Sequence, residues 1–270
     1  MPWSTTSDVH AFIAAVGEFL SSRPIEHSPL LTEADHLRRN PEPDAGQAYG
    51  WWTGEHGEVA GAFLQAPRHP PILTPLPAAA VDELVAVLPV ADGLGCDVTT
   101  VDAALEAWQR AGVTLQPRHR LVVHRLDRLR PPPLPPGSPR PAGPGDTELL
   151  QRWFGELMAA NPGDASDRSY VIDDPLAEGR IVLWEADGVP EAMAGRSRVV
   201  DGMTRLGATY VPTGDARVET AVLAAGSAAA AAVAEDVLVL SARSDLAASA
   251  QLAALGYRAV RERILLAPVI

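Results

Sequence analysis

Eight prolines, Pro131, Pro132, Pro133, Pro135, Pro136, Pro139, Pro141 and Pro144, fall within residues 130–145. Proline fixes φ and removes a backbone donor, so neither a helix nor a central strand persists through such a stretch. A stiff, extended linker of polyproline type is the reading that follows. It divides a chain of 270 residues into two parts, each of a size that buries a core of its own. The expected organisation is a domain over residues 1–128, a linker over 129–146 and a second domain over 147–270.

The two parts repeat one another in pattern. Residues 50–52 and 58–64 are apolar runs around Gly-rich punctuation at 54–57, which reads as a hairpin. Residues 181–184 and 191–195, around a turn at 186–188, give the same reading. Each hairpin is followed by a strand that ends near a proline, 72–75 in one part and 206–212 in the other, and then by a helical stretch, 78–88 or 217–234. Both parts close alike. A helix over 102–110 stops at Gly112 before a strand over 120–124, and a helix over 249–255 stops at Gly256 before Tyr257 and a strand over 263–266. Glycine just beyond a helix supplies the left-handed residue that ends it. The pattern predicts an internal duplication with these two glycines 144 residues apart.

The fold class is therefore α/β in the layered α+β sense, each part a twisted mixed sheet covered by helices. The first helix is marked by Asp8 as cap and by the stripe Val9, Phe12, Ile13, Val16, Phe19 and Leu20. A second is expected to start at Thr32, with Asp35 completing a capping box.

The formal charge is −12, and all 22 basic residues are Arg. Without lysine a Schiff-base lysine is excluded, and the bias towards Arg and Ala reads as the coding of a GC-rich genome such as an actinobacterium's. An acidic chain with no basic tract matches neither nucleic acid nor an anionic membrane surface, so the expected partner is a small molecule, and a homodimer is compatible with the composition. Cys96 is the only cysteine, which excludes an internal disulfide and points to a buried, inert thiol. No histidine spacing suits a metal, and none is expected. Residues 1–8 lack the pattern of a secretory signal, so the expectation is a cytoplasmic protein. The uncharged run 221–234 falls short of the ~20 residues that span a bilayer and reads as a helix packed on a sheet.

Four stretches of the second part carry a resemblance: Leu183, Trp184 and Glu185 with the Asp187-Gly188 turn; residues 192–198; residues 205–212; and residues 255–258. Residues 50–52 and 58–63 do so in the first part. In this order and spacing the second part resembles the GNAT N-acetyltransferase superfamily, and the whole chain is similar to a bacterial tandem form in which a degenerate GNAT half precedes a catalytic one. The resemblance implies acyl transfer from acetyl-CoA, or another acyl-CoA, to the amine of a small molecule. It implies that the donor lies between two splayed parallel strands, with its pyrophosphate on a Gly-rich loop that opens a helix. It places Val211, Gly214, Ala216 and Arg217 at the cofactor, and Trp184 and Arg196 at the substrate.

The residues also depart from that pattern. The loop holds one glycine, and Asp215 and Glu219 set negative charge where phosphates belong. Leu252 stands where the family has a tyrosine that protonates the leaving thiolate, so the acetyl-CoA site reads as degenerate. All seven histidines precede Arg128, His69, His119 and His124 among them, and read as surface residues. With no histidine in the second part, proton transfer is expected of Tyr210 first, as a phenol of pKa near 10 at a strand end, or of Glu185 or Glu191. Beside acyl transfer stand two other readings: a GNAT fold that has lost CoA and serves a CoA-independent reaction or binds a small molecule, as in specialised metabolism, and a structural partner.

Overall fold

The computed structural model describes residues 3–41, 46–88, 93–130, 132–162 and 166–269. In chain order its elements are β1 (Trp3–Thr6), α1 (Val9–Ser21), α2 (Ser28–Arg39), β2 (Ala48–Thr53), β3 (Val59–Gln65), β4 (Ile72–Leu73), α3 (Ala78–Leu84), β5 (Leu94–Asp97), α4 (Val101–Arg110) and β6 (Leu115–Leu126). There follow β7 (Ser138–Pro141), α5 (Thr147–Ala160), α6 (Asp174–Ala177), β8 (Ile181–Ala186), β9 (Val189–Arg196), β10 (Met203–Tyr210), α7 (Ala216–Ala231), β11 (Asp236–Ala242), α8 (Leu246–Leu255) and β12 (Tyr257–Pro268).

The chain forms two units. One comprises the described residues of Met1–Val123, Ala242–Ser244 and Arg261–Ile270, the other those of His124–Ser241 and Asp245–Val260. Strands of the first unit run β1-β2-β3-β4-β5-β12, all neighbours antiparallel except the parallel pair β4 and β5. Strands of the second run β7-β8-β9-β10-β11-β6, antiparallel from β7 to β10 and parallel between β10 and β11. Position by position the two orders agree, as the duplication requires. The sixth place is filled crosswise: β12, last in the sequence, closes the first unit, and the end of β6 lies beside β11 in the second.

Local signals place most of these elements. Asp8 caps α1 by accepting the His10 N–H at 2.8 Å, and Phe12, Val16 and Leu20 are buried along one face. The second helix starts at Ser28, four residues before the expected Thr32. Pro29 occupies its first turn, where a missing N–H costs no hydrogen bond, and the Thr32 hydroxyl donates to the Ser28 carbonyl at 2.9 Å instead of capping. The strands expected at 120–124 and 263–266 are each extended to 12 residues. Burial pushes the Cys96 thiol up to about 12, so it carries no thiolate character. No helix among the described residues is long and apolar enough to cross a membrane.

Pro131 lies outside the described residues. Within the rest of the proline-rich segment, Ser138–Pro141 form β7, an edge strand paired with β8 from Ser138↔Glu185 to Pro141↔Val182. An edge is the one place in a sheet where missing donors are tolerated. Arg140 secures it. Its two terminal nitrogens donate to the two oxygens of Asp146 at 2.8 Å each, and its Nε donates to Glu185. The Arg140 fork holds the Asp146 carboxyl below the usual carboxylate range. A carboxyl whose pKa is depressed on folding adds stability above its unfolded value, and that stability is lost as the pH falls through the folded one. Denaturant titrations at stepped pH should therefore show wild type losing stability below pH ~4 more steeply than Arg140→Gln, which is already weaker at neutral pH. Parallel curves would show that the fork contributes nothing.

In the second unit, α7 lies against β8, β9 and β10 with Val218, Ala221, Val222, Leu223, Ala224 and Ala230 buried. Small residues permit a close approach: a Cβ on Gly226 would stand 3.0 Å from Leu206 and 3.1 Å from Ala194.

Candidate functional site

The parallel strands β10 and β11 pair only from Met203↔Asp236 to Leu206↔Val239. Beyond that they diverge, because β10 changes course. A bulge between Gly207 and Tyr210 shifts its register against β9, and Ala208 adopts φ +43° within it. An extra residue bends and twists the strand that carries it. The backbone of Gly207, Ala208 and Thr209 is thereby left without a partner in β11. A cavity of about 200 Å³ opens there, lined by those residues, by Val239, Leu240 and Ser241 of β11, by Glu219 and Leu223 of α7, and by Ala248, Gln251 and Leu252 of α8.

The start of α7 lies next to this cavity. Asp215 is its N-cap: a side-chain oxygen accepts the Arg217 N–H at 2.8 Å, and the carboxylate pairs with the Arg217 guanidinium at 3.0 Å. That guanidinium holds the Asp215 carboxyl below the usual carboxylate range, so it is charged near neutrality. Gly214 turns the preceding loop, its N–H donating to the Val211 carbonyl at 3.0 Å. The helix end that would meet an anion already holds one.

Ser241 of this lining has a partner outside it: the imidazole Nε2 of His124 stands 2.9 Å from the Ser241 hydroxyl, both side chains buried. Burial lowers the His124 pKa and keeps the ring neutral. The sequence reading left the second unit without a histidine. The crosswise sixth strand supplies one, because β6 carries His124 from the first part of the sequence to a place beside β11.

The remaining residues named from sequence fall in separate places. Tyr210 turns towards α5, its hydroxyl donating to Glu156 at 2.8 Å and its ring centred 6.0 Å from that of Trp153. Burial, and then the Glu156 charge, raise its pKa. Glu185 is engaged by Arg140, and Glu191 is the extra residue where the register between β8 and β9 shifts. Trp184 is 1% exposed and donates its indole N–H to the Pro136 carbonyl at 3.2 Å. Arg196, half-buried at the end of β9, donates to the Ser197 carbonyl at 3.3 Å. Neither Tyr210, Trp184, Glu185, Glu191 nor Arg196 lines the cavity.

At the corresponding place in the first unit, side chains bond to the backbone. Strands β4 and β5 pair at Ile72↔Gly95. Past that point Arg263 donates to the Leu73 carbonyl at 3.1 Å, and the Thr100 hydroxyl accepts the Leu76 N–H at 3.1 Å.

Solved structures share this fold. No family model matches the chain, and no curated protein matches it. A GCN5-related N-acetyltransferase from Sphaerobacter thermophilus is similar over 98% of this chain and 95% of its own, with TM-score 0.64 and 13% identity. A GNAT-family acetyltransferase from Colwellia psychrerythraea is similar over 100% of both chains, with TM-score 0.61 and 12% identity. A tandem GNAT protein from the clavulanic acid biosynthesis pathway is similar over 98% of both, with TM-score 0.57 and 15% identity. The chain has the tandem GNAT fold.

Proposed function

We propose that the chain is an acyltransferase that takes an acyl group from acetyl-CoA or another acyl-CoA and passes it to the amine of a small molecule, in the cleft between β10 and β11. The divergence of these two strands carries the reading: it opens a cavity lined by residues 207–209, which have no partner in β11. An acyl chain fits between the strands. Val211, Gly214, Ala216 and Arg217 border the place for the diphosphate, where Arg217 is the attractive charge and Asp215 and Glu219 oppose it. On the α5 face, Tyr210 with Glu156 is the pair an incoming amine would meet, and Glu185, Glu191, Trp184 and Arg196 shape the hairpin behind it.

The opposed charges set the expected affinity. Calorimetric titration with acetyl-CoA should give saturable heat with Kd of ~0.1 mM, about −5.5 kcal/mol. Asp215→Asn keeps an equally good cap and removes one charge. It should bind more tightly, by a margin that shrinks as salt is added. Absence of saturable heat at millimolar acetyl-CoA would overturn the reading.

A further inference from the structure

Ser241 lines the cavity together with Leu252, where the family resemblance would put a proton donor, and His124, from a strand far away in sequence, reaches the Ser241 hydroxyl from outside that lining. A hydroxyl 2.9 Å from an imidazole nitrogen is within the reach that activates a serine nucleophile. We propose that Ser241 is a nucleophile and His124 its base, and that together they take the acyl group from a thioester onto the chain before it reaches an acceptor. This rests on the acyl-transfer reading of the same cleft.

The step balances as follows. With Nδ1 protonated, Nε2 of His124 accepts the Ser241 hydroxyl proton while Oγ bonds to the thioester carbonyl carbon. The tetrahedral centre collapses as the C–S bond breaks. The thiolate leaves with that electron pair and takes the proton from the imidazolium, which returns His124 to neutrality. Ser241 is left as an ester, which an amine resolves, or water where no amine is bound, by the same proton path. Backbone polar groups of Gly207, Ala208 and Thr209, freed from β11, line the same cavity, the place for a developing oxyanion.

The opposite role, a relay in which Ser241 merely hands a proton to the thiolate, needs an imidazolium at rest to restore it. The desolvated ring at His124 disfavours that form. A neutral imidazole is ready to receive a proton and, once charged in this site, ready to give it up. Nucleophile and base is thus the assignment in which each group starts in its favoured state.

The test is intact-mass and peptide-mass spectrometry of the full chain after a brief incubation with acetyl-CoA and acid quench, paralleled by release of p-nitrophenol from p-nitrophenyl acetate. The expected result is one acetyl group on Ser241, and a burst of one p-nitrophenol per chain. Ser241→Ala should abolish both, and His124→Gln should slow both ~10²-fold or more. Saturable heat with acetyl-CoA but neither adduct nor burst would overturn this proposal and leave acyl transfer standing. A burst with acetyl on Ser241 from p-nitrophenyl acetate, without any acetyl-CoA binding, would support the dyad and overturn the CoA reading. Mapping the adduct on wild type does not depend on either variant folding. A Ser241→Ala protein that transfers acyl groups at the wild-type rate would also overturn the proposal.

Discussion

Trp184→Ala is expected to lower the unfolding free energy by about 3–5 kcal/mol, the range for removing a large aromatic from a core that cannot collapse around the gap. The indole is 1% exposed among Ala192, Ala194, Val218, Ala221 and Val222. These neighbours are mostly small, so they have little side chain with which to refill the space. The indole N–H also ties β8 to the proline-rich segment through the Pro136 carbonyl at 3.2 Å. Trp184→Phe keeps most of the volume and loses that bond, so it should cost less, about 1 kcal/mol for the bond and somewhat more for the smaller ring. Urea unfolding of the three proteins separates the parts. Wild-type stability in Trp184→Ala would remove Trp184 from the core and make its role as a substrate contact the one to pursue.

Gly256→Ala should destabilise by about 2–4 kcal/mol, from two additive sources. Gly256 ends α8 at φ +100°, a conformation that costs an L-residue roughly 1–2 kcal/mol. A Cβ there would also stand 2.0 Å from the Arg128 carbonyl oxygen, a backbone atom that cannot swing aside. The contact sits where the Asp127 N–H donates to the Gly256 carbonyl at 3.1 Å and the Arg130 N–H to the Leu255 carbonyl at 2.9 Å. Gly112 is the internal control. It turns the chain after α4 at φ +84°, but open space surrounds its missing Cβ, so Gly112→Ala should cost only the conformational part, about 1 kcal/mol. Equal losses at the two sites would show that the Arg128 contact relaxes away.

These two glycines were also the clearest punctuation in the sequence, and they located the repeat correctly. Hairpins β2/β3 and β8/β9 were legible because apolar runs flank turn residues, a local signal that local structure obeys. The start of α2 was misplaced because Thr32 and Asp35 have the composition of a cap. Pro29 opens the helix earlier, and once a helix has begun a threonine hydroxyl bonds backwards instead. The cleft was legible only in outline. The loop before α7 showed its opposing charges in Asp215 and Glu219, but the bulge at Gly207 to Tyr210 is a matter of register between strands, which no single strand records. His124 was hidden most completely. Its neighbours in sequence belong to a strand of the first part, and only the pairing order reveals that the strand ends beside β11. No sequence signal marked this: the strand read there covers 120–124, and the 12-residue length of β6 comes from the structure.

The crosswise sixth strand has a consequence for how this chain can be divided. Cut at the prolines, the first fragment would end with β5 uncovered along the edge that β12 occupies, and the second would expose β11 along the edge that β6 occupies. Each fragment would offer an open row of backbone donors and acceptors, the template on which sheets join to one another and aggregate. Ser241 and His124, 117 residues apart in the chain, would be parted by the same cut. The gene can therefore drift in either half, but it cannot lose one: fission removes an edge and a partner side chain in a single event.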